Sequence, residues 1–224
     1  IACGAVGFIK ESTEARNIKN KVISMLTTQG HIVYDCTVDN GISQNDVLKK
    51  IISKCNSHSV DLDISIHFNS GVNDKTGNRT TTGTEAYVYS SASKAKVYAQ
   101  NISNHIASLG FKNRGVKTSS SLYFLKNTKS PALLVECCFV DDKDDADLYN
   151  ADKMAQAIVK GITGKITPAP PQQPIVNTSY SKRQFIKDIQ AAIGAKVDGI
   201  VGSETLSKTI TVSKNKNNKH AVVK

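Results

Sequence analysis

No stretch of the sequence approaches the roughly 18 consecutive apolar residues that a bilayer-crossing helix needs, so no membrane span is expected. No C-x-x-C occurs, and the five cysteines (Cys3, Cys36, Cys55, Cys137, Cys138) are odd in number. That is a poor disulfide framework and a poor zinc-thiolate site, so most are expected to be buried free thiols from a reducing compartment. There is no initiator Met and no basic-then-apolar leader before Ile1, and the chain is expected to be cut from something longer. What is present is enough for a core. Of 224 residues, 39% are hydrophobic and 21% charged, which excludes wholesale disorder.

The formal charge of +10 implies an anionic partner, and it is unevenly spread. Residues 1–166 hold 20 basic and 16 acidic side chains, whereas residues 167–224 hold nine and three. The lysines of this tail are scattered among Asn, Ser and Thr with no aromatics interleaved for base stacking. The expectation is no nucleic acid, and an anionic wall polymer suits the pattern.

Four of the five prolines fall between Pro168 and Pro174, the signature of an extended linker. Residues 1–166 are therefore expected to form one domain, 167–180 a tether and 181–224 a second, truncated module. In the first part, helical spacing over 14–29 (Ala15, Ile18, Val22, Met25, Leu26) stops at Gly30. Strands are expected at 31–36, 62–69, 84–89 and 132–140. Further helices are expected after Ser43, which is placed to cap one, and over 93–109 and 152–162. This alternation predicts an α/β fold with a mixed, mostly parallel sheet and helices on both faces. Past the tether, Phe185, Ile189, Ala192 and Ile193 mark a helix. The turn Asp198-Gly199-Ile200-Val201-Gly202 and a second helix near Ser203 complete a small helical C-terminal module.

Two strands carry polar residues where polarity is costly. Alternation over 62–69 puts Leu62, Ile64, Ile66 and Phe68 on one face, with His67 and Asn69 on the other at the carboxyl end, where open α/β sheets build their sites. A lone His there is either a hydrogen-bonded core residue or a ligand. Glu136 interrupts the apolar run 132–140, and an unpaired buried carboxylate costs several kcal/mol. It should be paired, for instance with Arg114, or protonated, or linked to a metal. A His and a Glu ending two strands point to metal-assisted hydrolysis, since zinc takes imidazole nitrogen and carboxylate oxygen.

Several blocks in order carry a family resemblance over about residues 4–165. They are Gly7-Phe8-Ile9-Lys10-Glu11-Ser12, Ser65-Ile66-His67-Phe68-Asn69, Gly83-Thr84-Glu85, Arg114-Gly115-Val116-Lys117, Leu122-Tyr123-Phe124-Leu125, and Pro131 with Val135-Glu136-Cys137-Cys138-Phe139-Val140. The chain resembles the zinc-dependent N-acetylmuramoyl-L-alanine amidases of bacterial autolysins and phage endolysins. The resemblance implies Zn²⁺ held by Glu11 and His67, Glu136 as the catalytic carboxylate and Asn69 at the substrate. On the residues alone, Glu11 reads equally as an ordinary first-turn acid. The family's other ligand, a His in a Gly-His turn after the first strand, has no counterpart in His31, His58, His105 or His220. It and that strand are expected upstream of Ile1, leaving the chain as written short of a ligand, weak in zinc binding and poorly active.

The turn Val197-Asp198-Gly199-Ile200-Val201-Gly202-Ser203-Glu204-Thr205 resembles that of small peptidoglycan-binding domains. The acidic run 141–147 resembles a calcium loop in composition, but lacks the sixth-position Gly and twelfth-position Glu of an EF-hand, and reads as a solvated turn before a helix. The expected function is a peptidoglycan hydrolase acting at the bacterial cell wall. A zinc peptidase of the stem peptide and a non-catalytic wall-binding protein are the alternatives.

Overall fold

In the computed structural model, residues 4–165 and 182–201 are described. In chain order the elements are α1 (Glu11–Thr28), α2 (Gln44–Cys55), β1 (Asp63–Asn69), β2 (Thr84–Val88), α3 (Lys96–Ala107), β3 (Asn113–Thr118), α4 (Tyr123–Asn127), β4 (Ala132–Phe139), α5 (Lys143–Leu148), α6 (Ala151–Thr163) and α7 (Lys182–Ala192). None of these helices is long and apolar enough to cross a membrane. The chain divides into two units, Ile1–Pro171 and Gln172–Lys224.

The four strands form one sheet in the order β1-β4-β2-β3. β1 pairs parallel with β4 and β2 parallel with β3, while β2 and β4 run antiparallel. The sheet is thus mixed and mostly parallel, as its helix-alternating sequence predicts. Period-two alternation divides β4 between two cores. Leu133, Val135 and Cys137 join Phe68, Ala86 and Val88 in a large core beneath α1, α3 and α6. Ala132 and Leu134 face the other way, against Ile52 and Cys55 of α2 and Phe124 and Leu125 of α4. Each Leu or Val buried this completely contributes about 1.5–3 kcal/mol, which is why a nearly unbroken apolar run occupies this interior strand. Helices pack closely behind it. A Cβ on Gly161 of α6 would lie 2.6 Å from the Ile102 backbone of α3.

The cap predicted at Ser43 is present, its side chain accepting from Asp46 N. Of the cysteines, Cys36, Cys55, Cys137 and Cys138 are free thiols, and all but Cys36 are buried; Cys3 lies outside the described residues. Two expectations are corrected, and one strand joins those expected. Residues 31–36 form no strand. Side chains hold the segment without a ladder: Tyr34 stacks on His58 at 3.6 Å, Asp35 pairs with Lys19 at 2.6 Å, and Cys36 packs on the α2 core. β3 joins the sheet although Asn113–Thr118 carries a Gly and three charged or amide side chains that hide its strand character. The acidic run is not simply solvated, since Asp142 and Asp145 are fully buried. Asp145 accepts from the Phe139 and Gly83 amides at 2.7 and 2.8 Å and from the Thr82 hydroxyl at 2.5 Å. Backbone donors from the end of β4 and the start of β2, which antiparallel pairing brings to one end of the sheet, supply what water would otherwise give it.

In the second unit, α7 is followed by a turn organised by buried Gln190. Its Oε1 accepts from the Gly199 amide at 2.8 Å, and its Nε2 donates to Asp198 Oδ1 and the Ile200 carbonyl at 2.9 and 2.8 Å. Gly199 has φ +76°, a left-handed conformation that favours glycine. The helix expected near Ser203 lies outside the described residues.

Candidate functional site

Alternation aims one set of polar side chains at the face opposite the large core: His67 and Asn69 from β1, Glu85 and Tyr87 from β2, and Glu136 from β4. His67 and Glu136 are direct partners across β1 and β4, and Glu136 is also paired with Glu85 across β4 and β2. Glu11, the first residue of α1, reaches this group from the side.

Glu11 Oε1 lies 2.9 Å from His67 Nδ1, and its Oε2 accepts from the Ala5 amide at 2.6 Å. Gly4, with φ +96°, permits that approach, since a Cβ there would stand 2.9 Å from Glu11 Oε2. Burial works against the Glu11 charge, but the hydrogen bonds from His67 and Ala5 outweigh it and hold the carboxyl below its ordinary value. Burial likewise disfavours a charged His67, yet the Glu11 hydrogen bond and the Glu136 charge raise its pKa. Ser65 Oγ lies 2.9 Å from His67 Nε2.

Glu136 is different. Its Oε2 is buried without a hydrogen-bond partner. Burial, reinforced by the Glu11 and Glu85 charges and only partly offset by His67, pushes the carboxyl up to about 7. The alternative of an ion pair with Arg114 is not realised, because Arg114 Nε binds Glu85 Oε2 at 2.6 Å. Lys117 Nζ also lies 2.6 Å from Glu85 Oε2, while the Tyr87 hydroxyl and Asn69 Nδ2 donate to Oε1 at 2.7 and 3.0 Å. Glu85, Arg114 and Lys117 therefore form a charged floor that reading the strands one at a time does not assemble. The only sequence signal for it is Glu85 and Tyr87 alternating with apolar Ala86 and Val88.

Among the expected site residues, the fold brings Glu11, His67 and Glu136 together. Asn69 binds Glu85 and the Ser70 amide, not His67. The remaining described histidines stand elsewhere: His31 is exposed, His58 stacks on Tyr34, and His105 lies on α3, where burial and Lys160 lower its pKa. His220 lies outside the described residues. Imidazole nitrogen and carboxylate oxygen converging at 2.9 Å, beside an orphaned buried carboxylate oxygen, is a donor set that fits zinc.

A family profile described as N-acetylmuramoyl-L-alanine amidase matches residues 2–167. An endolysin of Bacillus phage SPP1 is 32% identical over 167 residues, covering 70% of this chain and 57% of its own. A 38.4 kDa protein of Clostridium perfringens is 35% identical over 206 residues, covering 88% of this chain and 59% of its own. The chain thus spans a little over half the length of these two curated relatives. Among solved structures, the catalytic domain of the CD27L endolysin, which targets Clostridia difficile, superposes with a TM-score of 0.64 at 28% identity. That match covers 74% of this chain and 89% of the CD27L domain.

Proposed function

The chain belongs to the N-acetylmuramoyl-L-alanine amidase family, and we propose that it hydrolyses the amide between N-acetylmuramic acid and the L-alanine of the peptidoglycan stem peptide. The observation that carries the reading is Glu136, a carboxylate with a buried, unpaired oxygen held near a pKa of 7 beside the Glu11–His67 donor pair. Glu11 and His67 are proposed as two of the three protein ligands that a catalytic zinc uses. When bound, the metal supplies a Lewis acid that polarises the amide carbonyl and acidifies a water.

Glu136 takes the proton of the attacking water and passes it to the departing L-alanine amine, a relay suited to a group titrating near neutrality. The amide C–N bond breaks as the new C–O bond forms. Asn69 spends one amide hydrogen on Glu85 and has a second to offer a substrate carbonyl. The Pro-rich stretch 167–180 is the proposed tether, and residues 181–224 a wall-binding module. Such a tether holds the hydrolase at high effective concentration over a solid substrate.

Incubating purified wall with the protein and analysing the released fragments tests the reading. The expected products are peptides beginning with L-alanine. Shorter peptides would identify a stem-peptide peptidase, and sedimentation without release would identify a binder.

A further inference from the structure

The loop between β1 and β2 meets the turn after β4 through a short backbone bridge. Asp74 N donates to the Asp141 carbonyl at 2.9 Å, and Lys143 N donates to the Asp74 carbonyl at 3.0 Å. The bridge gathers Asp74, Asp142 and Asp144, each of which offers a carboxylate oxygen within 4.8 Å of the other two. Asp74 and Asp142 are buried and Asp144 is half-buried.

Like charges gathered this closely repel, and most of the oxygens have visible compensation. Asp74 Oδ1 accepts from the Gly77 amide at 2.9 Å and its Oδ2 from the Asn78 amide at 2.7 Å. Asp144 Oδ2 accepts from the Arg79 amide at 2.9 Å. Asp142 Oδ1 caps α5 by accepting from Asp145 N at 2.8 Å. Asp142 Oδ2 is the exception: it is buried on a residue with 0% exposure and has no partner. The adjacent Thr82 hydroxyl gives its single proton to Asp145 at 2.5 Å. Nearby cations do not serve it either. Lys143 Nζ is engaged by Asp147 at 2.6 Å, and Arg79, whose side chain is 88% exposed, comes only within 4.0 Å of Asp144. Asp142 thus keeps a buried, unpaired carboxylate oxygen while gathered with two further carboxylates, and the cluster lacks a positive charge.

We propose that Asp74, Asp142 and Asp144 form a calcium site that ties the β1–β2 loop to the turn after β4. Oxygens within 4.8 Å of one another suit a cation bound at 2.3–2.6 Å, and an all-carboxylate set selects a hard ion over zinc. It is not an EF-hand, because Asp74 comes from a loop far from Asp142 and Asp144 in sequence. Three protein carboxylates leave several of the six to eight positions to water. The affinity therefore belongs to the weak class of about 10⁻⁴–10⁻³ M typical of extracellular modules. The site is separate from Glu11 and His67 and does not depend on the proposed catalysis.

The test is titration of the chelator-washed full chain with calcium chloride alone, read by calorimetry and thermal melting, with magnesium chloride in parallel. One equivalent of calcium is expected to bind, and about 10 mM is expected to raise the Tm by about 4 °C. Asp142→Asn keeps the Oδ1 cap while replacing the orphan oxygen with a neutral amide. It should abolish the calcium response and melt no lower than the calcium-free parent. Asp144→Asn, which keeps an acceptor for the Arg79 amide, should weaken binding at least tenfold. No calcium response in the parent would overturn the site and leave a proton on Asp142 as the balancing charge. A response retained by both variants, or matched by magnesium, would overturn it equally.

Discussion

Glu85 and Glu136 stand opposite each other across β2 and β4, two carboxylates in register on one face of the sheet, and only Glu85 is paired with Arg and Lys side chains. Arg114 and Lys117 hold the Glu85 carboxyl below its ordinary value in spite of burial. At Glu136 burial and the Glu11 and Glu85 charges outweigh the His67 charge and carry its carboxyl in the other direction. Placing both cations on one partner sets the two pKa values apart, the arrangement by which a site keeps one carboxylate ionised and another ready to exchange protons.

Replacing Glu136 by Gln preserves shape and removes the exchangeable proton. Turnover on wall fragments is expected to fall about 10²–10⁴-fold, the usual contribution of a general acid–base group. Zinc content by elemental analysis should match the parent protein. Near-normal turnover in the variant would remove Glu136 from the chemistry.

The same residue makes a pH prediction for the zinc-free protein. Its folded pKa of about 7 lies above the ordinary glutamate value of 4.5, so the folded state binds the proton more tightly than the unfolded chain. The stabilising difference is fully present below about pH 4.5 and is lost as pH rises through 7. Glu136→Gln escapes this loss. In chelator, the variant should gain stability relative to the parent between pH 5 and pH 8, by at most about 3 kcal/mol. Denaturant midpoints at the two pH values check it, and a constant difference would show that Glu136 is not perturbed.

Much of this was legible in the sequence, because strand periodicity is strict. Apolar Ile64, Ile66 and Phe68 alternating with His67 and Asn69 fix which side chains share a face, and Glu136 stands out in an otherwise apolar strand. The placement of Glu11 came only through family resemblance, since a first-turn acid has an ordinary local explanation. Segment 31–36 has the strand composition His-Ile-Val-Tyr yet forms no strand, because tertiary contacts, Tyr34 on His58 and Asp35 on Lys19, hold it instead and no local pattern reports them. The Asp74 cluster was invisible for a related reason. Its members meet through a bridge between two loops, and a run of aspartates is ordinarily a solvated face.

The charged floor should be essential to the fold. Glu85 is 2% exposed and balances two cations, so Glu85→Gln leaves Arg114 and Lys117 without a counter-charge. Breaking a buried pair costs 3–5 kcal/mol, and because both cations reach solvent here a loss of about 2–3 kcal/mol is expected. The Tm should fall by roughly 6–10 °C. An unchanged Tm would show that the network contributes nothing to stability.

Gly161 tests the packing behind the site. A Cβ there meets Ile102 backbone at 2.6 Å, which no rotamer change relieves, so Gly161→Ala must separate α6 from α3. Overpacking of this kind costs about 1–3 kcal/mol. The variant should melt several degrees lower while its turnover per folded molecule at 25 °C stays normal, because Gly161 lies on the core face away from Glu136. A large loss of turnover with normal Tm would link the α3–α6 contact to the site.

Ending the chain at Lys165 separates the proposed catalytic and wall-binding parts. The removed region carries nine basic and three acidic side chains between 167 and 224, an excess that an anionic polymer attracts through a field screened by salt. All the proposed site residues, Glu11, His67, Asn69 and Glu136, lie in the first unit. Cleavage of soluble muropeptides should therefore match the full chain within error. Sedimentation with intact wall should weaken, and the difference between the two forms should shrink as salt rises from low to about 1 M, where the Debye length falls to about 3 Å. Equal sedimentation of the two forms at low salt would deny the second unit any role in wall affinity. A difference that salt leaves unchanged would assign that affinity to shape and hydrogen bonding in the Gln190-centred turn rather than to charge.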